Sequence, residues 1–285
     1  TADAPAPFIS TNGKIVPWAD AKIHAFSPAV KYGAGVFEGI RGYWNDDRQD
    51  MYVFRLREHM KRLEYSQKVM GFERIIDAET MADQTLELLR ACAFRETVHI
   101  RSAIVVDGEG ESGAIGPTCT FITAVPRPLP KKVTDGVEAQ VSSWQRIPDH
   151  AMPMRVKANA NYNNGRLAAI QAKRDGYGAA LMLNTRGKVS EGPGMCFFMI
   201  RNGRPITPST SNDILESITR ETLIQMLADD FGLKTDERDV DRSEIYAADE
   251  AFFCGTGWEI TPVRSIDRLP VGDGGVGTLT KKLQD

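Results

Sequence analysis

Three prolines fall within five positions at Pro126-Arg127-Pro128-Leu129-Pro130. Proline fixes φ and donates no backbone hydrogen bond, so this stretch can neither continue a sheet nor start a helix. It reads as a loop. In a chain of 285 residues, long for a single core, that loop divides the sequence in two. The expected organisation is a smaller N-terminal α+β domain over 1–125, a connecting loop over 126–134, and a larger C-terminal α+β domain over 135–285.

Both parts mix short strands and helices without a strict βαβ rhythm, which favours an α+β architecture over a doubly wound sheet. Asn12-Gly13 and Asn202-Gly203 lie between apolar runs, and Asn-Gly supports the positive backbone dihedrals of a tight hairpin turn. Helices are expected over 58–70, with Met60, Leu63 and Met70 near one face, and after the Asp77 cap, with Met81, Leu88, Leu89 and Cys92 in a stripe. Two more are expected over 165–175, carrying Leu167 and Ile170, and over 218–230, carrying Leu223, Met226 and Leu227. Strands are expected over 119–125, 137–144, 180–183, 195–200 and 251–254.

A hydrophobic content of 42% and a charged content of 26% are those of a soluble globular protein, with only the Pro/Ala-rich residues 1–7 expected to lack fixed structure. A net charge of −3 argues against nucleic-acid and anionic-membrane partners, which demand a basic excess. Cys92, Cys119, Cys196 and Cys254 form no CxxC or CxxH spacing and read as free thiols of a reducing compartment. The histidines are equally scattered, so no metal is expected. No apolar run approaches the ~20 residues of a membrane span, and a cytoplasmic location is expected.

Several segments carry groups that could do chemistry. Lys157 stands among small residues and asparagines, with Tyr162 five positions on; an imine-forming lysine needs such partial desolvation to be neutral and nucleophilic. Read alone, such a lysine is a solvated surface charge; its neighbours are what argue for the other reading. Glu191 sits beside a glycine-rich turn, Gly192-Pro193-Gly194, as a hairpin carboxylate facing water or as an acid able to hold a proton on a pyridine nitrogen. Residues 215–220, Leu-Glu-Ser-Ile-Thr-Arg, open an amphipathic helix whose free amides suit a phosphate, or are simply capped, with Asp213 and Glu216 in capping-box spacing. Arg62 could supply a permanent positive charge to a phosphate, or be an exposed helix arginine. Cys254-Gly255-Thr256-Gly257 ends a strand in a turn that offers amides and a hydroxyl.

Taken together and in this order, these segments resemble the class IV aminotransferases, specifically the branched-chain group. The strings that carry the resemblance are 32–41 (YGAGVFEGIR), 57–63 (REHMKRL), 141–144 (VSSW), Lys157 with Asn161-Tyr162, 190–192 (SEG), 218–220 (ITR) and 255–265 through the run ITPVRS. The resemblance implies the two-domain fold type IV, similar to D-amino acid and branched-chain aminotransferases, with pyridoxal 5′-phosphate (PLP) carried by Lys157. It further implies Glu191 at the pyridine nitrogen, Tyr162 at the ring hydroxyl, Leu215 against the ring, and Arg62, Ile218, Thr219 and Thr256 on the phosphate. The reaction implied moves an amino group between a branched-chain-like amino acid and a 2-oxo acid such as 2-oxoglutarate, with Lys157 moving the substrate Cα proton. A neighbouring subunit completes the site in this family, so a homodimer or higher multiple is implied.

By the same resemblance, the substrate residues are Tyr32, Phe37, Gly39, Arg41, Arg101, Arg127, Gly257 and Trp258. Three features depart from the branched-chain pattern. His99 stands where tyrosine is common, the shortened interdomain loop carries Arg127 in place of aromatics, and Trp258 replaces a small residue. The indole could line the pocket or point into the core. The departures admit an alternative within the fold: a transaminase shifted toward D-amino acids or (R)-amines. A PLP lyase similar to aminodeoxychorismate lyase is a further alternative, against which the string Phe37-Glu38-Gly39-Ile40-Arg41 weighs. The joint presence of lysine, glutamate, tyrosine and the phosphate residues weighs against a non-catalytic binding protein.

Overall fold

The computed structural model describes residues 6–285, so the first five residues of the 1–7 start lie outside it. The chain forms two compact units. Unit 1 runs to Pro128 and also takes in Val156–Ala160; unit 2 comprises Leu129–Arg155 and Asn161–Asp285. Among the described residues, no helix is long and apolar enough to cross a membrane.

Unit 1 is built on a six-stranded sheet of order β2-β1-β6-β5-β3-β4. Its elements are β1 (Phe8–Thr11), β2 (Lys14–Pro17), α1 (Pro28–Tyr32), β3 (Gly35–Asn45), β4 (Asp50–Val53), α2 (Leu56–Val69), α3 (Ala78–Cys92), β5 (Val98–Val106) and β6 (Thr118–Pro126). Every pairing within it is antiparallel. The β1–β2 turn is the expected Asn12-Gly13, with φ 47° and 73°. On α2 the buried residues are His59, Met60, Leu63, Ser66 and Gln67. Gln67, not Met70, fills the end of that stripe, and its amide bonds both the N–H and the carbonyl of Ile76 at 2.9 Å. Asp77 caps α3 through the Thr80 N–H, as expected.

Strand β3, between β5 and the edge strand β4, is absent from the strands expected from sequence, although its first eight residues are all buried. Glycine at 35, 39 and 42 and charge at Glu38 and Arg41 hide it, because strand propensity rewards neither. The same strand is where unit 1 takes in residues 156–160. Val36 bridges Ala158 antiparallel, Phe37 N–H donates to the Lys157 carbonyl at 3.0 Å, and Asn159 N–H donates to Gly35 at 2.9 Å. A Cβ on Gly35 would lie 2.6 Å from Asn159 Nδ2 and 2.9 Å from Val105 Cγ1, so this approach requires glycine. The expected assignment of all of 135–285 to one domain therefore loses these five residues to unit 1.

Unit 2 begins with α4 (Lys132–Asp135), β7 (Val137–Val141), α5 (Asn161–Arg174) and β8 (Ala179–Leu181). It continues through β9 (Cys196–Arg201), β10 (Arg204–Pro208), α6 (Ile218–Asp229), β11 (Asp236–Arg238), β12 (Glu250–Gly255), β13 (Glu259–Ile266), β14 (Leu269–Pro270) and α7 (Thr278–Gln284). The stretch 126–134 is thus not loop throughout. Pro126 closes β6 opposite Val98, the Arg127 N–H beyond it still donates to the Thr97 carbonyl at 2.9 Å, and α4 starts once the prolines end.

The sheet of unit 2 has the order β11-β10-β9-β12-β13-β7-β8, with β14 on β13. Alternate residues of β9 and β12 enter two cores. Phe197, Met199, Ala251 and Phe253 face one; Cys196, Phe198, Phe252 and Cys254 face the other with Leu223, Leu227 and Leu283 of α6 and α7. Phe198 and Phe252 stack at 5.0 Å.

Two helix expectations are corrected. α5 starts four residues before the expected 165, and buries Asn161, Gly165, Ala168 and Ala172, while Leu167 and Ile170 are 38% and 39% exposed. The reason is close approach: a Cβ on Gly165 would lie 2.6 Å from the Pro193 carbonyl oxygen, so only small residues fit that face. The Asp213/Glu216 capping box does not form. Ser217 caps α6 through the Arg220 N–H, and Asp213 accepts from the Asp149 N–H.

Candidate active site

Unit 1 gathers one set of the expected residues around β3. Lys157 is half-buried, on the strip that bonds β3, with Nζ 5.0 Å from the Phe37 ring centroid. The register places Arg41 opposite His99, Gly39 opposite Arg101 and Phe37 opposite Ala103, so these side chains share one face of the sheet. The Arg101 guanidinium stacks on Phe37 at 3.8 Å and donates to Asn159 Oδ1 at 3.3 Å. Arg41, 2% exposed, donates to the Arg127 carbonyl at 2.6 Å. His99 Nε2 lies 3.3 Å from where a Gly39 Cβ would stand, so the imidazole occupies the space that glycine vacates. Burial, followed by the charges of Arg127, Arg41, Arg101 and Lys157, pushes His99 down to about 4. This face combines an amine, an aromatic ring and several guanidiniums around a neutral imidazole. Tyr32 is 44% exposed, and its phenol donates to Glu111 at 2.7 Å.

On the opposite face of β3, Glu38 meets α2. The carboxylate accepts from His59 Nδ1 and from both Nε and Nη2 of Arg62, each at 2.7 Å. Burial would raise the Glu38 carboxyl, but the charge and hydrogen bonds of Arg62, with those of His59, outweigh it and hold it at about 2. Burial in turn lowers the His59 imidazole.

Unit 2 gathers a second set around the turn after Glu191. Glu191 is 3% exposed and accepts from Arg146 Nη2 at 2.5 Å, from the Leu215 N–H at 3.3 Å and from the Cys196 thiol at 3.7 Å. Burial and the Glu191 charge push that thiol up to about 12, so it stays a neutral S–H. The ring of Tyr162, in the first turn of α5, lies 3.5 Å from where a Gly194 Cβ would stand. Leu215 leads into α6, where Ser217 caps the Arg220 N–H and the amides of Ile218 and Thr219 have no acceptor within the helix. Thr256 and Gly257 form the turn from β12 to β13. Trp258 stands edge-on to Phe253 at 5.9 Å and beneath Lys132 Nζ at 3.0 Å, packed against the core of unit 2.

Two participants were not foreseen from sequence. Glu38 stands within the string Phe37-Glu38-Gly39-Ile40-Arg41, and Arg146 belongs to no motif. Each is recognised by a partner 24 or 45 residues away, a pairing that no local spacing announces.

A family-wide description of class IV amino-transferases matches residues 35–266. The chain belongs to the class IV aminotransferases. It is 39% identical over 282 residues to a probable branched-chain-amino-acid aminotransferase of Aquifex aeolicus, covering 98% of this chain and 90% of that one. The branched-chain-amino-acid aminotransferase of Escherichia coli is 37% identical over 285 residues, covering 98% of this chain and 91% of that one. The PLP-form crystal structure of the branched-chain amino acid aminotransferase of Thermobaculum terrenum superposes with a TM-score of 0.92 at 40% identity, over 99% of this chain and 92% of that one.

As a class IV aminotransferase, the protein is an enzyme that works with PLP. The residues present fit that group. Arg146 is buried beside Glu191, yet its Nε and Nη1 have no hydrogen-bond partner, a polar deficit that a bound polar molecule would relieve. The donor set also has the required chemistry: a half-buried lysine amine, a charge-compensated carboxylate, a phenol, and amides at a helix start.

Proposed function

We propose that this aminotransferase moves the amino group of a branched-chain amino acid to a 2-oxo acid such as 2-oxoglutarate. The observation that carries the reading is the face of β3, where the Lys157 amine and the Arg101 guanidinium both stand near an apolar ring, Phe37, and Arg41 lies farther along the same face. A substrate with a carboxylate and an aliphatic side chain matches both kinds of contact. The names of the Aquifex, Escherichia and Thermobaculum relatives point the same way.

PLP, when bound, supplies an electron sink that acidifies the Cα–H of the amino acid joined to it. Lys157 would carry the cofactor, and its Nζ, displaced by the substrate amine, would take the Cα proton as a base and then donate it as an acid at a different carbon. Glu191 would hold a proton at the ring nitrogen, with Arg146 fixing its carboxylate. Tyr162 would hold the ring hydroxyl and Leu215 would support the ring. Arg62, Ile218, Thr219 and Thr256 would hold the phosphate. Tyr32, Phe37, Gly39, Arg41, Arg101, Arg127 and Gly257 bind the substrate. Trp258 is assigned a supporting place, since its indole packs on Phe253. A homodimer is part of this reading, and a solution mass above the 31.5 kDa of one chain is its expected signature.

A second reading, a donor of D-configuration or an (R)-amine, draws on His99, whose imidazole among arginines reshapes the floor beside Gly39. One experiment separates the two. The visible band of the PLP-loaded protein is followed on adding L-leucine, D-alanine or (R)-1-phenylethylamine in turn. Bleaching by L-leucine is expected; bleaching only by the other two donors would transfer the function to the second reading. A protein that never acquires the band with PLP would refute both.

A further inference from the structure

We propose that Glu38 and His59 are positioning residues that hold the Arg62 guanidinium in one pose for the cofactor phosphate. The inference rests on the reading that Arg62 binds that phosphate. Glu38 sits mid-strand on β3 and is 0% exposed, a costly place for a carboxylate unless charge and hydrogen bonds compensate it. All the compensation comes from one turn of α2. His59 and Arg62 are three residues apart and so lie on the same helix face. Glu38 Oε1 takes Arg62 Nε, while Oε2 takes both Arg62 Nη2 and His59 Nδ1, all at 2.7 Å.

A side-on grip through Nε and Nη2 fixes the plane of the guanidinium as well as its place. Arginine otherwise carries about 2 kcal/mol of rotamer entropy that binding an anion would have to quench. His59 then does for Glu38 what Glu38 does for Arg62. At 2% exposure it fills the remaining position on Oε2, so the carboxylate cannot rotate away. A purely structural role would not need this order, because an apolar pair of similar volume packs a core at least as well as a buried ion pair.

The test compares PLP with pyridoxal, which lacks the phosphate, as probes of the stripped full-length protein. Glu38→Gln keeps the shape and removes the charge. It is expected to weaken PLP about tenfold while changing pyridoxal binding less than twofold. Arg62→Ala should produce the same selective loss, and larger. If Arg62→Ala leaves the preference for PLP over pyridoxal intact, Arg62 does not hold the phosphate and the underlying reading fails. If Arg62→Ala is selective but folded Glu38→Gln is not, or weakens both probes equally, the positioning role fails. Should Glu38→Gln not fold, the His59 pair decides. His59→Leu should weaken PLP selectively and His59→Asn, whose amide replaces the Nδ1–H, should restore it; equal behaviour of the two variants would overturn the proposal.

Discussion

Arg146 is the residue whose removal should be felt most sharply in unit 2. Its partner Glu191 is 3% exposed, so Arg146→Met would strand a carboxylate in the core. Breaking a buried pair from one side costs about 3–5 kcal/mol. Urea unfolding of the cofactor-stripped variant should show a loss of that size, separate from any change in PLP affinity. His99 carries a pH prediction. Its folded imidazole titrates at about 4, below the ordinary 6.5, so the unfolded chain binds the proton first as pH falls. The stability His99 contributes is present above the ordinary value and is lost between the two. His99→Gln should therefore flatten the fall in stability to urea between pH 7 and 5, by no more than about 2 kcal/mol at about 1.4 kcal/mol per unit. Lys157 and Glu191 were legible as residue types in suggestive company, and the family strings supplied their expected roles. Glu38 was not, because a charged residue mid-strand has no local signature; only its 2.7 Å contacts to α2 reveal it.

At the scale of elements, α5 shows why some helices escape periodicity. Apolar spacing selects Leu167 and Ile170, yet the buried face is Gly165, Ala168 and Ala172, chosen by the nearness of the turn at residues 192–194. Propensity alone says Gly165→Ala should gain about 1 kcal/mol. Overpacking against the Pro193 carbonyl costs typically 1–3 kcal/mol and should win, so the variant is expected to be less stable in urea. Leu167→Lys, on the exposed face, should stay within about 0.5 kcal/mol of the parent. The Asn-Gly hairpins, the Asp77 cap and the apolar run of β9 were readable because each rests on local chemistry. β3 was not, since its burial comes from neighbours on both sides and its sequence is interrupted by glycine and charge.

Over the whole molecule, binding PLP should stabilise the fold by mass action, by about 4 kcal/mol at a thousandfold excess over the dissociation constant. Thermal melts with and without PLP should separate accordingly, and coincident melts would count against a tightly held cofactor. The proline-rich stretch lies where the chain passes from unit 1 to unit 2, at Pro128, while nothing local announces the return at Val156–Ala160. That return is a long-range pairing between the strip and β3, visible only once both are placed. It makes the chain cross from one unit to the other three times. Neither unit is therefore a transferable cassette. A gene cut after the codon for Pro128 would encode a unit 1 lacking the strip that carries Lys157, and on the ribosome the nascent N-terminal unit must wait, the start of β3 unpaired on one side, until residue 160 emerges.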